Sequence, residues 1–255
     1  MTRPLARGRA ARTAFQRLKQ ASAPVLFLDL DGTLAPLVDR PEDARVPPAT
    51  RRTLARLRAS GARVVLVSGR SIDGVRHVAR LASDAILGDH GARIWQVGAV
   101  RPWLHADRKR LSRTSRRLTR ELAAMAGVRL EQKDRSLAIH LRLTRARGAK
   151  TIPGIVRLLH REGLRVLLGY RVIDGQLPGV DKGRAVRRWL ATMPASDAVL
   201  YAGDDTTDQD AFRALAGRAV TVAVGPRTLG ATLRTRDPRS LARWLERLAD
   251  ARSRR

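Results

Sequence analysis

Residues 25–38, Val-Leu-Phe-Leu-Asp29-Leu-Asp31-Gly32-Thr33-Leu-Ala-Pro36-Leu-Val, hold the most chemically loaded spacing in this 255-residue chain. Four apolar residues read as a buried strand that runs straight into two carboxylates two positions apart. Gly32 then lets the backbone turn sharply. Two like charges at the end of a buried strand repel each other and lose water, so a positive partner is required. A hard divalent cation such as Mg2+ suits carboxylate oxygens and meets that need.

Three more polar clusters follow the same rule. Ser68-Gly69-Arg70 ends the apolar run Arg63–Val67. It reads as a helix N-cap, and the same hydroxyl and N–H donors suit a phosphate. Lys182, in Gly179-Val-Asp181-Lys182-Gly183, opens a helix, where the dipole does not favour a cation. Gly203-Asp204-Asp205-Thr206-Thr207-Asp208-Gln-Asp210 follows the run Ala198–Tyr201 and holds four acids in seven residues, more than capping needs. Asp204 and Asp208, four apart, can face one side of a helix start. A strand-end carboxylate, a second carboxylate, a phosphate-binding turn, a lysine and a metal together fit phosphoryl transfer through an aspartyl-phosphate intermediate.

The elements that must position these groups alternate. Strands at 25–29, 63–67, 85–88, 198–201 and 220–224 interleave with helices near 48–60, 72–82, 182–192, 207–216 and 239–250. Continuous apolar strands of this kind predict a parallel sheet covered on both faces, with ligands at its carboxyl edge. The middle differs. A basic helix over 105–126 precedes strands Val128–Glu131 and Leu137–Leu143, a helix near 150–162, and strands Arg165–Leu168 and Tyr170–Ile173. The expected fold class is α/β, a Rossmann-like core with a parallel sheet, plus an inserted smaller α+β cap domain. The expected boundaries are an N-terminal arm at 1–22, the core at 23–98 and 176–255, and the insertion at 99–175.

The strings Leu26-Phe-Leu-Asp-Leu-Asp-Gly-Thr-Leu-Ala-Pro-Leu-Val38, Ser68-Gly69-Arg70, Asp181-Lys182-Gly183 and Gly203-Asp-Asp-Thr-Thr-Asp-Gln-Asp-Ala-Phe212 resemble, in that order, the haloacid dehalogenase superfamily. The fuller first and last strings are similar to the trehalose-6-phosphate phosphatase family within it, and the likeness spans about 25–216. That resemblance implies Asp29 as nucleophile and Asp31 as acid and base. It implies Mg2+ held by Asp29, the Asp31 backbone carbonyl and Asp204, with Asp208 and Asp205 orienting the metal's surroundings. It implies phosphate contacts from Ser68 and Lys182, joined by Gly32, Thr33, Gly69 and Arg70, and trehalose 6-phosphate as substrate. Two segments depart from the family pattern. Arg93 follows Gly88-Asp89-His90-Gly91-Ala92 where the family commonly has an acid. Asp174-Gly175-Gln176-Leu177-Pro178 stands near the family's Glu-x-Arg-Pro. His90, Arg93, Gln176 and His140, the last on an inserted strand, are therefore the candidate sugar contacts. Other glycosyl phosphates, mannosyl-3-phosphoglycerate or sucrose 6-phosphate, are the alternative substrates. Phosphomutase chemistry shares the same intermediate.

Lys plus Arg number 51 against 23 Asp plus Glu, a formal charge of +28. Such a field attracts nucleic acid or phosphorylated ligands. The arginines are spread along the chain, and aromatics, at 4%, leave base stacking poorly supplied. No specific nucleic-acid partner is expected, and a basic nucleic-acid binder with an idle site is the rival of a different class. Without cysteine there is no disulfide or thiolate site. No apolar run approaches the roughly 20 residues of a membrane span, so a cytoplasmic protein without a membrane partner is expected. Residues 1–22, with six cations and no acid, read as a solvated arm, and Ala251–Arg255 reads as a frayed tail.

Overall fold

The computed structural model describes residues 3–5, 8–96, 99–102, 108–123, 125, 127–133, 135–141, 148–169, 171–194, 196, 198–227 and 230–254. Parts of the expected helix over 105–126 and of the strands Leu137–Leu143 and Tyr170–Ile173 lie outside them, as do residues 1, 2, 6, 7 and 255 of the arm and tail. In chain order the elements are β1 (Arg3–Pro4), α1 (Arg9–Gln20), β2 (Val25–Asp29), α2 (Pro48–Ala59), β3 (Arg63–Val67), α3 (Ile72–Ala79) and β4 (Ala85–Gly88). Next come β5 (Arg93–Gln96), β6 (Ala99–Pro102), α4 (Arg108–Leu122), β7 (Arg129–Gln132), β8 (Ser136–His140), α5 (Gly148–Arg161), β9 (Arg165–Gly169) and β10 (Val172–Gln176). The chain closes with α6 (Lys182–Ala191), β11 (Val199–Gly203), α7 (Asp208–Ala214), β12 (Val220–Val224), β13 (Leu233–Thr235) and α8 (Pro238–Ser253).

These elements form two compact units, Met1–Arg101 with Asp181–Arg255, and Pro102–Val180. The division falls at 102 and 180 rather than at the expected 99 and 175, which assigns Gln176 to the smaller unit. The larger unit is built on a sheet of order β1-β13-β12-β11-β2-β3-β4-β5-β6. Its central pairs are parallel, and β5 runs antiparallel to β4. β2 and β11 are buried at every position, as a strand covered on both faces must be. The smaller unit has an antiparallel sheet of order β7-β8-β10-β9. α4 contributes Leu111, Leu118 and Leu122 to its core, and α5 contributes Ile155, Leu158 and Leu159. Among the described residues no helix is long and apolar enough to cross a membrane.

Two expectations are overturned. Residues 9–20 are not a solvated arm but α1, which buries Ala11, Ala14 and Leu18, a stripe at i, i+3 and i+7. Phe15 meets Trp244 of α8 edge to face, with centroids 5.7 Å apart. The tail does not fray at 251, because α8 runs to Ser253 and Arg252 is buried. The Arg252 guanidinium donates to the carbonyls of Leu18 (2.7 Å), Ala21 (2.8 Å) and Ser60 (2.7 Å). It thereby satisfies carbonyls at the C-terminal ends of α1 and α2 that have no intrahelical partner.

Candidate active site

β2 lies in the middle of the sheet, and register sets its neighbours. Asp29, its last residue, pairs with Val67 of β3, and Leu28 pairs with Ala202 of β11. Ser68 and Asp204 therefore come next to Asp29 at the carboxyl edge, one residue beyond their own strands' paired positions or just past them. Gly32 makes the turn at φ 78°, and a Cβ there would lie 2.1 Å from Asp204 Oδ2, so only glycine lets that carboxylate approach. Thr33 Oγ1 donates to Asp204 Oδ1 at 3.3 Å.

Lys182 enters from α6, whose N-cap Asp181 accepts from the Arg184 N–H. Its ammonium is almost fully buried and donates to Asp29 Oδ1 at 2.7 Å and Asp208 Oδ1 at 2.8 Å. Tyr201 Oη donates to the same Asp208 oxygen at 2.7 Å. Asp208 Oδ2 accepts the backbone N–H groups of Asp204 and Asp205, each at 3.0 Å. Four donors fill the roughly four acceptor positions of this carboxylate. Asp208 thus joins the lysine to the loop that carries Asp204.

Electrostatics follow from burial. Desolvation lifts the Asp29 carboxyl to about 7, with Lys182 opposing the rise and Asp208 adding to it. Burial, then the charges of Asp29 and Asp208, holds Asp204 well above the usual carboxylate range. Burial works against the Lys182 ammonium, but Asp208 and Asp29 outweigh it and raise its pKa. Burial and Asp208 push the Tyr201 hydroxyl up, so it stays a donor. One lysine does not offset three acids, two of them buried and Asp204 partly so. Carboxylate oxygens of Asp29, Asp204 and Asp208 lie within 4.8 Å of one another. With Asp208 fully engaged, Asp29 and Asp204 are the oxygen donors left for a hard cation, and the deficit of positive charge around them fits one.

A second layer surrounds Asp31. Arg70 Nε and Nη2 grip its two carboxylate oxygens at 2.7 Å each, and Nη2 also donates to the Pro41 carbonyl at 2.7 Å. Ser68 is buried, and its Oγ accepts the Arg70 N–H at 3.1 Å. The turn Asp89–Gly91 supports this loop: Asp89 N–H donates to Arg70 O (2.8 Å) and His90 N–H to Ser68 O (3.0 Å). Asp89 and His90 both take positive φ, 51° and 55°, a strained backbone of the kind found at functional sites. A Cβ at Gly69 would meet the His90 ring at 2.4 Å, so the ring packs flush on that glycine.

The expected residues therefore divide. Asp29, Gly32, Thr33, Lys182, Asp204 and Asp208 share one contact network, and Asp31, Ser68, Gly69, Arg70 and His90 form the layer beside it. Arg93 pairs with Asp89 at 3.9 Å. Asp205 stands outside the acidic triad, taking Arg227 at 3.1 Å and the Thr206 N–H at 2.7 Å. His140 and Gln176 belong to the smaller unit. His140 Nε2 lies 2.9 Å from Glu131, and the Gln176 amide is buried with neither polar atom hydrogen-bonded among the described residues. Sequence reading missed Tyr201 and the Pro41 carbonyl. A hydroxyl on an otherwise aliphatic strand, two residues before Gly203, was the only available sign of Tyr201.

Solved proteins share this fold, among them a haloacid dehalogenase-like hydrolase from B. subtilis, with a TM-score of 0.66, 16% identity, and 87% of this chain and 98% of that chain covered. The sequence model of the trehalose-phosphatase family matches residues 27–232, more than half of the chain. The chain belongs to that family. It is 30% identical to an uncharacterized glycosyl hydrolase of Mycobacterium tuberculosis over 92% of its own length, and spans only 19% of that protein. It is 28% identical to a trehalose 6-phosphate phosphatase of Zea mays over 89% of its own length and 70% of that enzyme. The C-terminal domain of C. albicans trehalose-6-phosphate phosphatase shares the fold, with a TM-score of 0.83, 21% identity and 98% of each chain covered.

Proposed function

We propose that the chain is a Mg2+-dependent phosphatase that hydrolyses trehalose 6-phosphate to trehalose and phosphate. The observation that carries the reading is the buried contact of Lys182 with both Asp29 and Asp208, beside Asp204, in a chain of the trehalose-phosphatase family. Asp29 attacks phosphorus and the bond to the sugar oxygen breaks. Asp31 gives its proton to that oxygen, then takes one from the water that attacks the aspartyl phosphate, which frees Asp29 and inorganic phosphate. Lys182 and Ser68 hold the phosphoryl oxygens, joined by the backbone at Gly32, Thr33 and Gly69. Mg2+ held by Asp29 and Asp204 would neutralise phosphoryl charge. Asp208, saturated by four donors, keeps Lys182 and the Asp204 loop in place.

A second reading, hydrolysis of another glycosyl phosphate, is favoured by the sugar-facing departures. Arg93 is engaged with Asp89, and the Gln176 amide is buried and without a hydrogen bond among the described residues. His90 and His140 are weaker candidates for sugar contact, the second being occupied by Glu131. A membrane or nucleic-acid partner plays no part in either reading.

Phosphate release with Mg2+ tests both readings. Trehalose 6-phosphate is compared with glucose 6-phosphate, sucrose 6-phosphate and mannosyl-3-phosphoglycerate. A marked preference for trehalose 6-phosphate, abolished by chelation and restored by Mg2+, is the expected result. Equal rates on all four would remove the trehalose assignment, and undiminished release after chelation would remove the metal.

A further inference from the structure

We infer that Arg70 is a positioning residue for Asp31 and not a ligand of the transferred phosphoryl group. The inference rests on the phosphatase reading above and sharpens it. The guanidinium makes a two-point contact with the carboxylate, both oxygens at 2.7 Å, which is the strongest geometry available to an arginine–carboxylate pair. A third contact, to the Pro41 carbonyl, fixes the plane of the fork. Arg70 is itself held at its backbone: its N–H donates to Ser68 Oγ and its carbonyl accepts the Asp89 N–H. Asp31 is pinned at the other end. The Gly32 N–H donates to Ala35 O at 2.8 Å, and Asp31 bridges Ala35. Its carboxylate is about a third exposed, so without the fork it would sample several rotamers. The strained turn at Asp89–His90 and the Pro41 carbonyl thereby acquire one purpose, which is to aim a single carboxylate.

Arg70 committed to Asp31 and Pro41 acts on proton transfer and leaves the attack on phosphorus to other groups. The two halves of the reaction separate these roles. A sugar alkoxide departs only with a proton, which Asp31 can give once one of its oxygens has left the fork and taken a proton up from water, whereas p-nitrophenolate departs without one. Both routes need Asp31 to take a proton from water when the aspartyl phosphate is hydrolysed.

The test is stopped-flow and steady-state kinetics of the whole chain with Mg2+, on trehalose 6-phosphate and on p-nitrophenyl phosphate, for the unsubstituted protein, R70Q and R70K. With R70Q, steady-state turnover of both substrates should fall about 100-fold. The first turnover of p-nitrophenyl phosphate should stay within about threefold of the parent, giving a burst of nitrophenolate. Inhibition by inorganic phosphate should be unchanged, and R70K, with the charge but not the fork, should lie between. A burst slowed as much as the steady state, together with weakened phosphate inhibition, would make Arg70 a phosphate ligand and overturn the inference. So would full activity in R70Q. If R70Q does not fold, R70K carries the same comparison. No release from either substrate by the parent protein would sink the phosphatase reading itself, and the role of Arg70 with it.

Discussion

Two places in the molecule, one in each unit, treat buried polar side chains in opposite ways. At the carboxyl edge of the larger sheet, Asp29, Lys182, Tyr201 and Asp208 are almost wholly buried and each is engaged, Asp208 by four donors. In the smaller unit, Gln176 is equally buried, 1% exposed, yet neither atom of its amide is hydrogen-bonded among the described residues. The first arrangement is finished before any ligand arrives, which is what stabilising a transition state requires. The second carries an unmet hydrogen-bonding capacity.

Substituting Asp29 makes the sharpest break. D29N should lower turnover at least about 1,000-fold while the thermal melt barely moves, because burial already disfavours the charged carboxyl. Retained activity would end the covalent mechanism. D208A removes the acceptor of Lys182, Tyr201 and two backbone N–H groups. Breaking such a buried pair costs about 3–5 kcal/mol, read by denaturant unfolding, and an unchanged midpoint would mean that the network is not preorganised. In the smaller unit the sign reverses. Q176L should leave stability equal or raise it by about 1 kcal/mol, since it removes unsatisfied polar atoms, while raising KM more than it lowers kcat. A clear loss of stability would show the amide to be partnered.

The smallest effect belongs to Glu131. Its hydrogen bond to His140 holds the carboxyl down to about 2, with burial opposing. A folded pKa below the unfolded value near 4.5 means stability present above pH 4.5 and lost as pH falls toward 2. The side chain is 41% exposed, so E131Q should cost at most about 0.5 kcal/mol at neutral pH and flatten the acid limb of the stability curve.

Most of the larger sheet was legible because its strands are continuous apolar runs that end in unusual polar groups. Strand 220–224 and the return of the chain at Lys182 fall where periodicity puts them. α1 was not legible as a packed helix. Its inward stripe is Ala11, Ala14 and Leu18, small residues that carry little hydrophobic signal among arginines. Arg252 was unreadable for a related reason: an arginine in a basic tail gives no hint that its partners are carbonyls 192 to 234 positions earlier. β1 and β13, of two and three residues, are too short for any period to show. Within the site, spacing marked every acid and the lysine. The pairing of Arg70 with Asp31, 39 residues apart, exists only once β2 and β3 lie side by side.

The burial of Lys182 also bears on the handling of this protein. The chain has only five lysines, Lys19, Lys109, Lys133, Lys150 and Lys182. Amine-reactive reagents need an accessible, unprotonated nitrogen. Lys182 is 3% exposed, and its two carboxylate neighbours keep it protonated. Acylating dyes and surface-coupling chemistries should therefore pass it over, so that the protein can be labelled or immobilised through lysine without touching the one placed in the proposed reaction.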